Sequence, residues 1–522
     1  MKGKRIAFIF FEVFVIILGI TGVTLAVNKI VRDRASVGVK VGDFYVDYKG
    51  NKEIEVNDLE PIDDSLINID THDNVIRMDF SLRGMESNPI DNIIYDVIMD
   101  DMNIDCSFLN EYTKWNLYKN GNLLSSGNLS PSFDGSINSK YFKLTNIQED
   151  LPKHNESYDN YTFILWISES CKDLNTCTFV DQSDIVNSKI SFRVFVALYT
   201  GSKVENVRKP NYDNSCANSP ELYGNMIPIS YKNGNIIMVD EDNSDKNNIW
   251  YDYNSKIWAN AVVTQKNNYS LGDIISKDDI LAYYVWIPKY SYKVWNIDGE
   301  IGYQAYDAYK EGIDIKFSNG TITCNNDKCN GDNLDYYTNP AFDNVRGFWV
   351  SKYELSSDLK FIPNFRVTTN SDVTYFENEF NNIKPKYVFD YSIDSSIINS
   401  YEWDAITYLT HSKYGNMNIS MNNSYISGNN SLDSTTGNIY GVFDMSGGAS
   451  EFVKVNSGLG SATKEISIDE YTTWDNNYYS ENAYNNYYVR GGVSKGIYSY
   501  GSFDESSPLI STRNILKEKS SS

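Results

Sequence analysis

Histidine is nearly absent from this chain: its 522 residues include three, His72, His154 and His411. A metal enzyme built on several imidazoles is therefore excluded. Cysteine is also scarce, with six in the whole chain, so a disulfide-dense scaffold is excluded too. Positive charge is short as well. Lys and Arg number 46 against 69 Asp and Glu, a formal net charge of −23. So acidic a chain repels phosphate backbones, and nucleic acid is not expected as a partner. There is no phosphate-binding Gly-Lys-Ser/Thr loop and no Asp-x-Asp-x-Asp-Gly calcium loop. No internal repeat suggests a solenoid. With so many carboxylates, pairs of Asp or Glu occur everywhere, and a glycosidase reading from pairs alone would be empty.

Aromatic residues, by contrast, are abundant: 41 Tyr, 24 Phe and 9 Trp, with 41% of the chain hydrophobic. That is enough apolar material for a real core, which excludes wholesale disorder. At about 150 residues per domain the length suggests about three units. Asn is also abundant, a compositional bias that carries no function.

The chain opens with Lys2, Lys4 and Arg5 and then runs apolar from Ile6 to Val27, 22 residues. As a helix this run would be about 33 Å long, enough to cross a bilayer. The expectation is an N-terminal transmembrane helix that attaches the chain to the membrane through residues 6–27, with the C-terminal body outside the cell. Thr24-Leu25-Ala26 also offers a signal-peptidase site, and cleavage near Ala26 would release the protein. Glu12 lies inside the run, where a carboxylate is costly and marks function by default. Phe8-Ile9-Phe10-Phe11-Glu12 resembles a prepilin N-terminus. That resemblance implies cleavage after Ala7 and a role for Glu12 in assembly. It departs from the pattern in having Ala where Gly is usual and Ile-Phe-Phe where Thr-Leu-Ile is usual. Cleavage after Ala7, cleavage after Ala26 and no cleavage all stay open.

Past a basic hinge, period-2 patterns predict strands at Val41–Tyr48, Val75–Arg83, Ile93–Met99, Trp115–Lys119, Tyr161–Ser168 and Ile190–Tyr199. Asn120-Gly121 is a hairpin turn signal. These strands, with no convincing helix among them, predict an all-β sandwich over residues 37–202. The Gly-Ile-Thr-Gly-Val-Thr-Leu-Ala end of the apolar run and the stretch Tyr161–Glu169 resemble camelysin/TasA-like surface proteins. A polar linker is expected over residues 203–221, a second unit over 222–517 and a polar tail over 518–522. Ser400–Tyr414 is the best helix candidate in the second unit.

Three groups of phrases stand out in the second unit. The first pairs Tyr284-Val-Trp-Ile-Pro-Lys-Tyr290 with Gly347-Phe-Trp-Val-Ser-Lys-Tyr-Glu354. The second is Gly437-Asn-Ile-Tyr-Gly-Val-Phe-Asp-Met-Ser-Gly-Gly-Ala-Ser-Glu-Phe452. The third joins Val489-Arg-Gly-Gly492 to Ser511-Thr-Arg-Asn-Ile-Leu516. In order and spacing they resemble the formylglycine-generating (sulfatase-modifying) domain family. The resemblance implies an α+β, loop-rich, C-type-lectin-like fold. It does not carry the chemistry, because the active enzymes bind copper through C-terminal Cys and no Cys follows Cys329. The related iron enzymes need several His, and His411 is the only one in this unit.

In the family, the loop of the second phrase helps to bind structural calcium, which implies Asn438, Asp444 and Glu451 as ligands. The competing reading is a metal-free loop stitched by hydrogen bonds. Arg490 is expected to be buried against a carboxylate. Late loops often form the ligand face of lectin-like folds, which singles out Tyr498, Tyr500 and Phe503. Cys171 with Cys177, and Cys324 with Cys329, are spaced as short-loop disulfides in an exported chain; the pairing of Cys106 and Cys216 stays open.

The sequence thus suggests a non-catalytic surface or adhesion protein, with a lectin-like head on a β-sandwich stalk that binds a surface protein or a glycan. The alternative is a self-assembling pilin-like or matrix subunit that uses the N-terminal helix and Glu12.

Overall fold

The computed structural model describes residues 13–16, 25–28, 37–41, 44–50, 54–56, 60–86, 88, 92–169, 190–266, 268–293, 312–318, 324–325, 328–329, 336–367, 378, 392–454, 487–492, 496–497, 500–501 and 510–519. The chain divides into two compact units, Met1–Pro210 and Asn211–Ser522.

The first unit is built of strands: β1 Val13–Ile16, β2 Leu25–Asn28, β3 Val37–Val41, β4 Phe44–Gly50, β5 Ile54–Val56, β6 Ile76–Gly84, β7 Ile93–Ile104, β8 Thr113–Lys119, β9 Asn122–Asn128, β10 Phe142–Lys143, β11 Glu149–Asp150, β12 Asp159–Ile167 and β13 Ile190–Thr200. They form two antiparallel sheets. One runs β1-β2-β13-β7-β10, with β5 on β13 and β11 on β7; the other runs β3-β4-β6-β12-β8-β9. Strand β6 shows why: Ile76, Met78, Phe80 and Leu82 are buried while Arg77, Asp79, Ser81 and Arg83 alternate with them toward solvent. Phe163 of β12 meets Phe192 of β13 edge-on, and Tyr48 of β4 meets Phe195. The two sheets therefore share one aromatic core. Asn120 and Gly121 both take positive φ between Lys119 and Asn122, as a tight hairpin requires.

The expected N-terminal transmembrane helix over residues 6–27 is overturned. Within that run the described residues are strands: β1 pairs antiparallel with β2, Val13 opposite Asn28 and Ile16 opposite Leu25. Ala26 pairs onward with Leu198 of β13. No helix among the described residues is long and apolar enough to cross a membrane. The run is dominated by Val, Ile, Phe and Thr and interrupted by Gly19 and Gly22. Branched and aromatic side chains favour strands, and apolar length alone does not separate a buried strand from a spanning helix. Ala7 and Glu12 lie outside the described residues.

The second unit contains β14 Ile227–Lys232, β15 Asn235–Met238, β16 Asn260–Thr264, β17 Ile280–Pro288, β18 Tyr290–Lys293, β19 Asp314–Phe317, β20 Cys324–Asn325, β21 Lys328–Cys329, β22 Tyr337–Thr338, β23 Gly347–Ser351, β24 Ile393–Ile397, the helix α1 Ser400–Thr410, then β25 Ser450–Lys454, β26 Tyr487–Gly491, β27 Tyr500–Gly501, β28 Ile510–Ser511 and β29 Asn514–Glu518. The central sheet runs β15-β14-β16-β17-β23-β29-β24, and a smaller one runs β27-β26-β25-β28. Helix α1 begins with a reciprocal capping box: Glu402 N–H donates to the Asn399 side chain, and Asn399 N–H donates to Glu402. Trp286 of β17 and Trp349 of β23 are fully buried and in ring contact, so the sheet centre is aromatic.

The polar stretch 203–221 is shared between the units. Val204 and Asn206 bond back to Gln148 and Asn146, whereas Asn211, Asp213 and Asn218 bond to Tyr251, Tyr253 and Arg346.

Candidate functional site

Three buried carboxyls of the second unit, Glu354, Asp444 and Glu451, and the buried Arg513 meet at the loop between Phe443 and Phe452. Positive φ at Asp444, Gly447 and Gly448 lets this loop turn back on itself. A Cβ at Gly447 would meet the backbone of Asn422, and one at Gly448 would lie 2.6 Å from Glu354 Oε1. Glycine here permits close approach of backbone to neighbour.

Asp444 is fully buried and fully engaged. Its Oδ1 accepts from Asn422 Nδ2 at 2.5 Å, and its Oδ2 accepts from Ser427 Oγ at 2.8 Å and Gly428 N at 2.6 Å. Two further carboxyls lie beside it. Glu354 Oε1 accepts from Ala449 N at 2.9 Å. Glu451 Oε1 accepts from Arg513 Nε at 3.0 Å and Nη2 at 2.7 Å. The Arg513 guanidinium also donates to the carbonyls of Phe443, Ser351 and Lys352, so one buried cation ties this loop to the end of β23. Burial, together with the charges of Glu451 and Asp444, pushes the Glu354 carboxyl well above the usual carboxylate range. Burial likewise raises Glu451, against the pull of Arg513. Glu354 keeps its proton and hydrogen-bonds Glu451.

A second buried pair lies on the smaller sheet. Arg490 Nη1 donates to Asp404 Oδ1 at 2.6 Å, and its guanidinium rests 5.2 Å from the centroid of the Trp403 ring. Burial pushes Asp404 up to about 8 despite the arginine. The expected burial of Arg490 against a carboxylate is what the structure shows.

Of the three expected calcium ligands, Asp444 and Glu451 lie in the same buried cluster, and each side chain is engaged by protein groups. Asn438 accepts from Thr436 Oγ1 and Tyr440 N, and donates to the Lys256 carbonyl. Asp444 holds Asn422, Ser427 and Gly428, and Glu451 holds Arg513. Among the described residues no group of three His, Cys, Asp or Glu is arranged to hold a metal ion. The loop is stitched by hydrogen bonds and one ion pair.

Cys324 stands directly opposite Cys329 in the β20–β21 backbone register, while Cys171 and Cys177 lie outside the described residues. Cys106 and Cys216 are both disulfide-bonded. Of the residues expected on a ligand face, Tyr498 and Phe503 lie outside the described residues, and the Tyr500 backbone pairs with Arg490. Glu12 lies outside them too.

Lys352, Glu354 and Arg513 stand inside the quoted phrases with no role that the sequence alone marks, and Asp404 lies within the helix candidate 400–414. Charged residues embedded in apolar phrases, as in Trp349-Val-Ser-Lys-Tyr-Glu354, are the signal that marks such buried groups.

The charge cluster also fixes what the surface presents. Met421 precedes Asn422, and Ile426 precedes Ser427; both anchors bond to Asp444. Ser427 N donates to the Phe365 carbonyl, and its own carbonyl accepts from Asn364 N. Phe365, Met421 and Ile426 are 41%, 56% and 42% exposed. Comparison with known proteins adds no relative: no family model, no curated protein and no solved structure matches this chain.

Proposed function

We propose that this protein is a non-catalytic binding or adhesion protein, and that the second unit binds a surface protein or a glycan through its loop face. The observation that carries the reading is the pinning of two loops by one buried carboxylate. Asp444 holds Asn422 and Ser427–Gly428, and the adjoining Met421, Ile426 and Phe365 stand out in solvent. Rigidly held loops that expose large apolar side chains are how scaffolds present contact residues. Ordering such a surface in advance lowers the entropy lost on binding.

The two arginines of the quoted phrases support this reading, because they are spent on internal pairs: Arg513 on Glu451 and Arg490 on Asp404. The resemblance of phrases 284–290, 347–354, 437–452, 489–492 and 511–516 to the formylglycine-generating family supports a lectin-like head. Disulfide-bonded Cys106 and Cys216 support an oxidising location outside the cytoplasm. A net charge of −23 suits a soluble, self-repelling surface.

The test uses the full chain, labelled and applied to a glycan array and to immobilised surface proteins of its own cell type. Saturable capture that Phe365→Asp with Ile426→Asp abolishes, at unchanged melting temperature, supports the reading. Capture that is indifferent to both substitutions rejects this face, and no saturable capture on either array rejects the function.

A further inference from the structure

The amine of Lys352 lies immediately beyond β23 and is fully buried. Nζ donates to Asn260 Oδ1 and to the Ile439 carbonyl. The Tyr231 ring centroid lies 4.9 Å from Nζ and that of Phe443 5.7 Å away. Among the described residues no carboxylate faces this amine. Glu354, two residues on, gives its carboxyl to Ala449 and Glu451 instead. A buried lysine without a counterion is costly as a cation and settles as the free amine. Burial accordingly drops Lys352 well below the usual lysine range. A desolvated neutral amine is a nucleophile.

Its neighbour is arranged as an electrophile. Asn260 is fully buried at the start of β16. Its Nδ2 donates to the carbonyls of Trp258 at 2.9 Å and Tyr440 at 2.8 Å, which sets the orientation of the amide. Oδ1 therefore faces the donors and accepts from both Tyr231 Oη, at 3.2 Å, and Lys352 Nζ. Burial holds the Tyr231 phenol in its protonated form, so it remains a donor. Two hydrogen bonds at Oδ1 draw electron density from Cγ, and this same arrangement stabilises charge that develops on that oxygen.

We propose that Lys352 and Asn260 become joined by an intramolecular isopeptide bond. The Nζ lone pair attacks Asn260 Cγ, and the charge that builds on Oδ1 is held by the Tyr231 hydroxyl. A proton passes from Nζ to Nδ2, the Cγ–Nδ2 bond breaks and ammonia leaves. One amide replaces another, so no oxidant, reductant or further reactant is needed. Holding amine and amide together in a dry, aromatic enclosure supplies the proximity that free lysine and asparagine lack in water.

The position gives the bond a mechanical meaning. Strand β17 lies between β16 and β23 in the central sheet, with Asn260 opposite Val285 and Ser351 opposite Tyr284. A covalent tie from Asn260 to Lys352 clips the two flanking strands across β17. Closing so long a loop restricts the unfolded chain as a disulfide does, without depending on redox state. The inference stands apart from the binding reading, since the chemistry needs no ligand.

The experiment is mass spectrometry of the folded full-length wild-type protein after reduction, intact and as a protease digest. The expected result is a chain lighter by one ammonia and a branched peptide that contains both Lys352 and Asn260. Lys352→Met and Asn260→Ser should each carry the mass of their own sequence with no branched peptide. In refolded protein Tyr231→Phe should form the branch about tenfold more slowly. Linear wild-type peptides at full mass, with Lys352 and Asn260 unmodified, overturn the proposal. So does loss of ammonia in an unbranched peptide, which would mark a succinimide elsewhere. The decisive reading is made on the wild-type chain and does not depend on how the variants fold.

Discussion

Glu354 and Glu451 lie carboxyl to carboxyl in the interior of the second unit, joined by the proton that Glu354 retains. Arg513 serves Glu451, and Asp444 takes its donors from Asn422, Ser427 and Gly428. The cluster thus has one cation for three carboxyls, and the proton makes up part of the difference.

Stability should therefore depend on pH through this pair. The groups that face it are Arg513 and Asp444, with Asp433 and Tyr353 beyond Asp444. Both glutamates are raised in the folded state. Above the ordinary carboxylate range the unfolded chain has released protons that the folded chain still holds, so stability falls as pH rises through the folded values. Glu354→Gln mimics the protonated form and can still accept from Ala449 N. In urea titrations from pH 5 to 9 it should flatten the slope and exceed wild type at the alkaline end by about 1 kcal/mol or more. An unchanged slope would show that no proton is shared.

Arg490→Met should cost about 3–5 kcal/mol, because it leaves Asp404 buried without its cation. Asp404, which burial pushes up to about 8 even with the arginine in place, would then rise further, because Arg490 is what holds it down. Adding Asp404→Leu should restore most of the loss. Chemical denaturation of the two single variants and the double variant gives the coupling directly.

Gly447→Ala should destabilise by about 2 kcal/mol or more. The residue has φ +88 and its missing Cβ faces the Asn422 backbone. Gly121→Ala is strained by φ +87 alone, with nothing within 4 Å of the added atom, and should cost less. Comparing their melting temperatures separates steric cost from backbone cost.

In the first unit, Tyr95 Oη donates to Asp159 at 2.8 Å and meets Tyr161 Oη at 2.6 Å, which joins the two sheets through a polar contact inside the core. Tyr95→Phe should cost about 1–2 kcal/mol, limited by Lys119 and Asn120, which still serve Asp159. Asp159→Leu should cost more, because Lys119 then loses one of its two carboxylates.

How much of this was legible in the chain depends on the range of the cause. Sequence by itself determined the local features. Asn120-Gly121 makes a hairpin because both residues tolerate positive φ. Residues 76–83 make a strand with one buried face because their polarity alternates. Asn399 and Glu402 start helix α1 because each satisfies the other's backbone N–H. The aromatic excess guaranteed a core. Tertiary structure alone decided the rest. The apolar run 6–27 is compatible with a helix or with strands, and pairing with Leu198 in β13 selects strands in the part described. Asp444 and Glu451 read equally as metal ligands or hydrogen-bond acceptors until Asn422, Ser427 and Arg513 arrive from elsewhere in the chain. Lys352 and Asn260 carry no spacing that pairs them; β17 brings them together by lying between their strands. Whether a charge or an amide is an actor or part of the framework depends on which distant groups surround it, and only the packed chain sets that.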